Sequence, residues 1–157
     1  MMSNPVSASL ILRELWDGSI PVDIEQIIKS LSIAILIKSD LKGSGYADMS
    51  SDGQREIAIN GNHSALRSRF TMAHELGHHA LMHSLPRDRD ETASYGIDYF
   101  EIEANNFAAE ILMPIEPLSM DIHLFTENGL IQVQKLADKY KVSYDAMYFR
   151  LKNLGHG

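Results

Sequence analysis

The stretch R-S-R-F-T-M-A-H-E-L-G-H-H-A-L-M-H, residues 67 to 83, contains the side chains on which the interpretation of the whole chain depends. Within it, His74 and His78 are four residues apart, so on an α-helix at roughly 100° per residue their imidazole rings share one face, one turn apart. Two imidazoles at this spacing can bind one metal ion. Glu75 lies at the edge of the same face, where its carboxylate can act as a general base on water rather than as a ligand. The stretch therefore predicts the metal site of a metallohydrolase.

An H-E-x-x-H string is short, and by itself it could be two surface histidines and a glutamate on an exposed helix. Here apolar residues surround the string, so the helix is predicted to be largely buried. They are Met72, Ala73, Leu76, Ala80, Leu81 and Met82. Buried histidines beside a buried glutamate are unfavourable unless they are paired or bind a metal, which supports the metal site. Gly77 in a helix interior costs up to about 1 kcal/mol, which indicates that another element packs closely against that face.

A catalytic zinc site normally has three protein ligands, so a third ligand must come from another residue. His83 lies about 180° from His74 around a continued helix, and no glycine between His78 and His83 would turn the chain back. His79, at about 140° from His74, is also directed away from the site. We therefore interpret His79 and His83 as surface or core histidines.

A second amphipathic helix, predicted from Asp98 to Met113, offers the third ligand. Glu101 and Asn105 are four residues apart and share a face with two alanines, whose small side chains would allow the first helix to approach closely. Glu101 could then bind the metal, while Asn105 braces a histidine ring by a hydrogen bond. Glu103 is the alternative ligand, but its face carries other polar side chains and is predicted to face solvent. We favour Glu101.

The remaining segments alternate between helical and strand patterns, so the fold class is α+β, with a single domain over residues 1–157. Helical patterns cover Ala8 to Trp16 and Val22 to Leu31, and strand patterns cover Ile33 to Lys38, Tyr46 to Met49 and Arg55 to Asn60. Turn residues between the strands predict a small, mostly antiparallel sheet. Arg87 to Gly96 is predicted to be a polar loop. Two short helices, Leu130 to Tyr140 and Ser143 to Leu154, complete the domain.

Composition excludes several classes of protein. Hydrophobic residues make up 45% of the chain and charged residues 22%, as in soluble globular proteins, and no apolar run is long enough to span a bilayer. No secretion signal is visible at the N-terminus, so a cytoplasmic location is expected. The absence of cysteine excludes disulfides and thiolate metal sites. The net charge of −7 argues against non-specific binding of nucleic acid or anionic lipid.

The C-terminal helix pair, residues 130–154, allows a competing interpretation. Residues 130–157 have a net charge of +3, which leaves −10 for the remainder, and the pair resembles a helix-turn-helix. Such a motif could place its second helix in a DNA major groove, giving a DNA-binding regulator. The simpler interpretation is that the two helices pack on the core. A third possibility is a non-catalytic protein that binds a regulatory partner through the same groove.

The two motifs together, R-F-T-M-A-H-E-L-G-H-H-A-L-M-H and E-I-E-A-N-N-F-A-A-E-I-L-M-P, resemble the ImmA/IrrE family of metallopeptidases. The resemblance implies a zincin-like fold with His74, His78 and Glu101 as metal ligands and Glu75 as the base. Known members are bacterial or phage-borne, and several cleave a helix-turn-helix repressor encoded nearby. It therefore implies a protein substrate, a repressor or an antitoxin-like regulator. Zinc suits two histidines and a carboxylate, and Mn²⁺ is tolerated by similar ligands.

The sequence leaves alternatives for two features of catalysis, the oxyanion donor and the surface that binds the substrate. The donor that stabilises the oxyanion could be Tyr95, Tyr99 or His123, which lie in or after the loop between the metal-binding elements. The sheet edge near residues 46 to 60 could hold an extended substrate by strand addition, because backbone pairing requires no particular sequence.

Overall fold

The computed structural model describes residues 3–89 and 98–156, and these form an α+β fold, as predicted. The helices are α1 Ala8–Leu15, α2 Ile24–Ser30, α3 Ala65–Ala80, α4 Tyr99–Leu112, α5 Ile115–Leu124, α6 Val133–Tyr140 and α7 Tyr144–Asn153. The strands are β1 Ala34–Lys38, β2 Gly45–Met49, β3 Arg55–Asn60, β4 Thr126–Glu127 and β5 Leu130–Ile131. No helix within the described ranges has the length and apolar character needed to cross a bilayer.

The main sheet has three strands in the order β1-β3-β2. β2 and β3 form the expected antiparallel pair, in which Tyr46 lies opposite Ala58. β1 pairs with β3 in parallel, with Leu36 opposite Ala58, so only one of the two pairings follows the antiparallel expectation. β1 and β3 run in the same direction, and β2 runs in the opposite direction to both. β2 is therefore an outer strand, with a free edge that pairs with no other described strand.

Helices α3 and α4 pack directly against each other. Ser64 caps α3 by accepting a hydrogen bond from the backbone N–H of Arg67 at 3.3 Å. At Gly77, an added Cβ would lie only 3.2 Å from the Cα of Ala104 and from the side chain of Phe107. This confirms the close approach that the glycine and the small residues of α4 predict. The crossing brings one face of each helix to the same site.

The region after α4 differs in two respects from the predicted elements. α5, in a region for which no element was predicted, begins directly after Pro114 and includes Pro117 in its first turn, where a helix tolerates proline. The C-terminal helix pair begins at Val133 rather than Leu130, because Leu130 and Ile131 pair with β4 across the Asn128-Gly129 turn. Both turn residues have positive φ, as a tight hairpin requires.

The C-terminal helices α6 and α7 pack on the core. Leu136, Tyr140 and Met147 are fully buried in the same apolar cluster as Leu76 of α3. The hydroxyl of Tyr140 donates to the carboxylate of buried Asp121 at 2.7 Å, which joins α6 to α5. The packing agrees with the simpler of the two interpretations of this helix pair.

Candidate metal centre

The two histidines of the H-E-x-x-H string lie together on one face of α3. His74 Nε2 and His78 Nε2 are 3.2 Å apart, and the two rings meet edge to face. His78 is completely buried and the side chain of His74 is 14% exposed. The helical spacing therefore brings two imidazole nitrogens to one point at the edge of the core.

Glu101 of α4 meets both histidines at that point. Its Oε1 lies 3.0 Å from His74 Nε2, and its Oε2 lies 2.9 Å from His78 Nε2. The guanidinium of Arg87 donates to the same Oε2 at 2.8 Å. Glu103, the alternative ligand, instead accepts a hydrogen bond from His83 Nε2 at 3.1 Å, and its side chain is 55% exposed. Of the two glutamates, the structure places Glu101 at the histidines.

The donor set fits a zinc ion. Ligand atoms about 2.0–2.1 Å from one tetrahedral ion lie roughly 3.4 Å from each other. His74 Nε2, His78 Nε2 and the carboxylate of Glu101 are separated by 2.9 to 3.2 Å, close to that spacing. The chemistry also fits, since two imidazoles and a carboxylate are common zinc ligands. The three residues could hold one divalent ion with small adjustments of their side chains.

Glu75 lies beside these three ligand groups, on the buried side of α3. The residue is 2% exposed, and no described residue forms a hydrogen bond with its Oε1. Burial, and then the charge of nearby Asp88, raise the pKa of Glu75 to about 10. A buried carboxyl oxygen without a protein partner is costly, and it is available to a water molecule beside the converging donors.

Comparison with known proteins agrees with this geometry. A model of the peptidase M78 family, described as the IrrE N-terminal-like domain, matches residues 28–152. The chain belongs to this family. Immunity region protein 2 of Bacillus phage phi105 is 39% identical over 61 residues, which cover 37% of this chain and 37% of that protein. The ImmA/IrrE resemblance and the zincin-like fold are thereby confirmed for this M78 family member.

The solved structure of a Mycobacterium tuberculosis transcriptional regulator shares the fold of the M78 chain, with a TM-score of 0.67 at 15% identity. The match covers 96% of this chain and 47% of that chain. The M78 chain thus spans about half the length of that protein. At this identity the likeness concerns the fold alone.

His74 Nδ1, the ring nitrogen that does not contact Glu101, has the partner that the sequence predicts. Asn105 Oδ1 accepts a hydrogen bond from His74 Nδ1 at 2.8 Å, which leaves Nε2 directed at Glu101. Burial by itself would lower the pKa of His74, but hydrogen bonds to Asp88 and Glu101 outweigh it and raise the pKa to about 10. A metal ion would have to replace the proton on Nε2, because only the neutral imidazole is a ligand.

His83 is a buried histidine, one of the two predicted outcomes, but it contacts His78 instead of being directed away from it. α3 ends at Ala80, Met82 adopts a φ of 60°, and the His83 N–H donates to the His78 carbonyl at 3.0 Å. Together with the bond from the Met82 N–H to the His79 carbonyl, this is a Schellman turn. The prediction failed because a methionine takes the left-handed position that glycine usually occupies. His83 Nδ1 consequently lies 2.8 Å from His78 Nδ1.

These contacts form a chain from Glu103 through His83 to His78 in the M78 site. With its Nε2 free for a metal, His78 carries its proton on Nδ1 and donates it to His83, whose Nε2–H then donates to Glu103. Replacing His83 with phenylalanine should keep the stacking on Phe100 but remove the acceptor for His78. We expect zinc affinity, measured by competition with a chelator, to fall about 10- to 100-fold.

The matched control is His83→Gln, whose amide oxygen can still accept a hydrogen bond. It should keep most of the affinity lost in His83→Phe, while both variants unfold at similar temperatures. Wild-type zinc affinity in His83→Phe would show that His83 does not position His78.

Sequence reasoning missed Asp88 and Arg87, which were assigned to the polar loop. Asp88 Oδ2 lies 3.1 Å from the Nε2 atoms of both His74 and His78. Asp88, His74, Glu75 and His78 offer ligand atoms that all lie within 4.8 Å of one another. The R-D-R-D charge pattern was the only signal available, and a charge pattern in a loop does not indicate where the loop folds.

The other candidates of the M78 chain lie elsewhere. His79 is a core histidine, as predicted, with Nε2 2.7 Å from the backbone carbonyl of Glu56, and burial lowers its pKa to about 4. Among the proposed oxyanion donors, Tyr99 is 72% exposed and His123 is an exposed residue of α5. Tyr95 lies outside the described residues.

Proposed function

We propose that this protein is a zinc-dependent endopeptidase that hydrolyses peptide bonds, with His74, His78 and Glu101 as metal ligands and Glu75 as the general base. The M78 family supports a metallopeptidase. The observation that carries the proposal is the buried Oε1 of Glu75, which has no hydrogen-bond partner among the described residues and lies beside three converging ligand groups. Zinc is the proposed ion, with Mn²⁺ as an alternative.

Each side chain of the site would have a separate role in hydrolysis. When bound, the metal would lower the pKa of a coordinated water towards about 7 and polarise the scissile carbonyl. Beside a bound cation the raised pKa of Glu75 would fall, so its carboxylate could take the proton of that water and later give it to the leaving amine. Asn105 and His83 would keep the His74 and His78 rings oriented.

We further propose that the substrate is a helix-turn-helix repressor or an antitoxin-like regulator of the same genome, cleaved in the cytoplasm. Two findings support this substrate class: the family, and the match to a phage protein named for its immunity region. The matched segment covers 37% of that protein, so the support concerns a shared region.

Purified protein loaded with Zn²⁺ should cleave a repressor encoded beside its own gene at one or a few sites. Removal of the metal with a chelator should stop the cleavage, and added Zn²⁺ should restore it. Gel electrophoresis and mass spectrometry of the fragments would measure both. Cleavage that persists in the chelated protein would contradict a metal-dependent mechanism.

The alternative of a DNA-binding regulator has one supporting observation, the observed α6-α7 pair with its basic charge. Against it, Arg150 of α7 donates from Nε and Nη2 to the Met113 carbonyl at 3.2 and 3.1 Å, so its guanidinium is occupied within the protein. The exposed face of α7 carries Tyr144, Tyr148 and Phe149, with Lys152 as its one exposed basic side chain. A salt-dependent shift of duplex DNA would favour this alternative over the peptidase.

A further inference from the structure

The segment Pro86–Arg89, which we name the return segment, lies along the free edge of β2. The backbone N–H of Arg87 donates to the Ala47 carbonyl at 2.9 Å, and the Ala47 N–H donates to the Arg87 carbonyl at 3.1 Å. The two residues thus form an antiparallel bridge. This is the edge on which an extended substrate could pair by strand addition.

Side chains hold the return segment at both of its arginines. Arg89 Nη1 lies 2.5 Å from the Asp48 carboxylate, and its guanidinium lies over the ring of Tyr46. Arg87 Nη2 donates to Asp98 at 2.7 Å and to Glu101 at 2.8 Å. The segment is therefore fixed to β2 on one side and to α4 on the other.

Asp88, between the two arginines, places its carboxylate in the metal centre. Its Oδ2 is equally distant, at 3.1 Å, from His74 Nε2 and His78 Nε2. Its ligand oxygen also lies within 4.8 Å of ligand atoms of His74, Glu75 and His78. A carboxylate oxygen in this position can itself bind the metal.

We infer that the return segment occupies the substrate groove of its own protein: Arg87 takes the place of a substrate residue on β2, and Asp88 supplies a fourth protein ligand. This inference rests on the proposed metal centre. A catalytic zinc needs one position open to water, so a site with four protein ligands is closed. Catalysis then requires the segment to leave β2 and Asp88 to leave the centre.

The test uses cobalt-loaded full-length protein and acetohydroxamate, a small chelating ligand that needs the open position. Its dissociation constant is read from the visible spectrum of the bound cobalt. If the closed arrangement holds about nine molecules in ten, the apparent dissociation constant is raised about tenfold over that of an open site. Asp88→Asn should therefore bind acetohydroxamate about tenfold more tightly than the wild type, while its affinity for Zn²⁺ falls.

Two further variants separate occupancy of the groove from a change of charge. Arg89→Ala keeps Asp88 but removes the contacts to Asp48 and Tyr46, so it should also tighten acetohydroxamate binding. Asp40→Asn, at an exposed position, removes the same charge as Asp88→Asn and should behave like the wild type.

Equal acetohydroxamate affinity and equal zinc affinity in wild type and Asp88→Asn would overturn the inference, while stoichiometric cobalt binding would leave the proposed metal centre intact. Failure of the wild-type protein to bind cobalt or zinc would overturn both. Tighter acetohydroxamate binding in Asp88→Asn but not in Arg89→Ala would overturn the role of the segment on β2 and keep Asp88 as a ligand.

Discussion

Replacing Glu75 with glutamine should abolish peptide hydrolysis and leave the metal bound. The amide has nearly the shape of the carboxylate but cannot accept the proton of the attacking water, and the three proposed ligands are untouched. General bases contribute about 10²- to 10⁴-fold to enzymatic rates, so a loss in that range is expected in kcat. Cleavage of the substrate and zinc content per chain should be measured on the same preparation.

His78→Ala is the comparison variant, because it removes a proposed ligand and should lose both metal and hydrolysis. Together the two variants separate the base from the metal-binding residues. A Glu75→Gln protein that cleaves at the wild-type rate would refute the assignment of the base. Should neither the wild type nor Glu75→Gln cleave any partner, while both bind it and zinc, the protein would be a non-catalytic binder.

The second large effect is expected at Glu101. Glu101→Gln should weaken zinc binding by more than the roughly 10- to 100-fold typical of residues that only contact a ligand, because it removes one of the three ligands proposed to hold the metal throughout catalysis. Glu103→Gln is the matched control on the same helix, since its Oε1 can still accept the hydrogen bond of His83. Chelator competition gives both affinities.

Equal zinc affinity in the two glutamate variants would contradict the choice of Glu101. A larger loss in Glu103→Gln would mean that the contact with His83 matters more for holding the metal than the carboxylate at the two histidines. Thermal unfolding of both variants without metal checks that neither change disrupts α4.

Much of the candidate site could be predicted because it depends on helical spacing. His74, Glu75 and His78 lie within five residues, and a helix places them together whatever surrounds it. Glu101 and Asn105 could be predicted because Gly77 and the alanines of α4 indicate which faces of the two helices meet. The choice between Glu101 and Glu103 followed from the same argument about faces.

The tertiary structure alone decided the positions of His83 and Asp88. Both positions depend on backbone conformations that cannot be predicted from the residue types, with φ near +60° at Met82 and at Asp88 itself. The bridge between Arg87 and Ala47 likewise depends on which strand of the sheet has a free edge, and that followed from the parallel pairing of β1 with β3. The spacing of His74, Glu75 and His78 therefore determined the metal-binding face of α3. Packing of the chain beyond α3 decided which side chains surround it, because turn conformation and strand order depend on contacts between residues distant in the sequence.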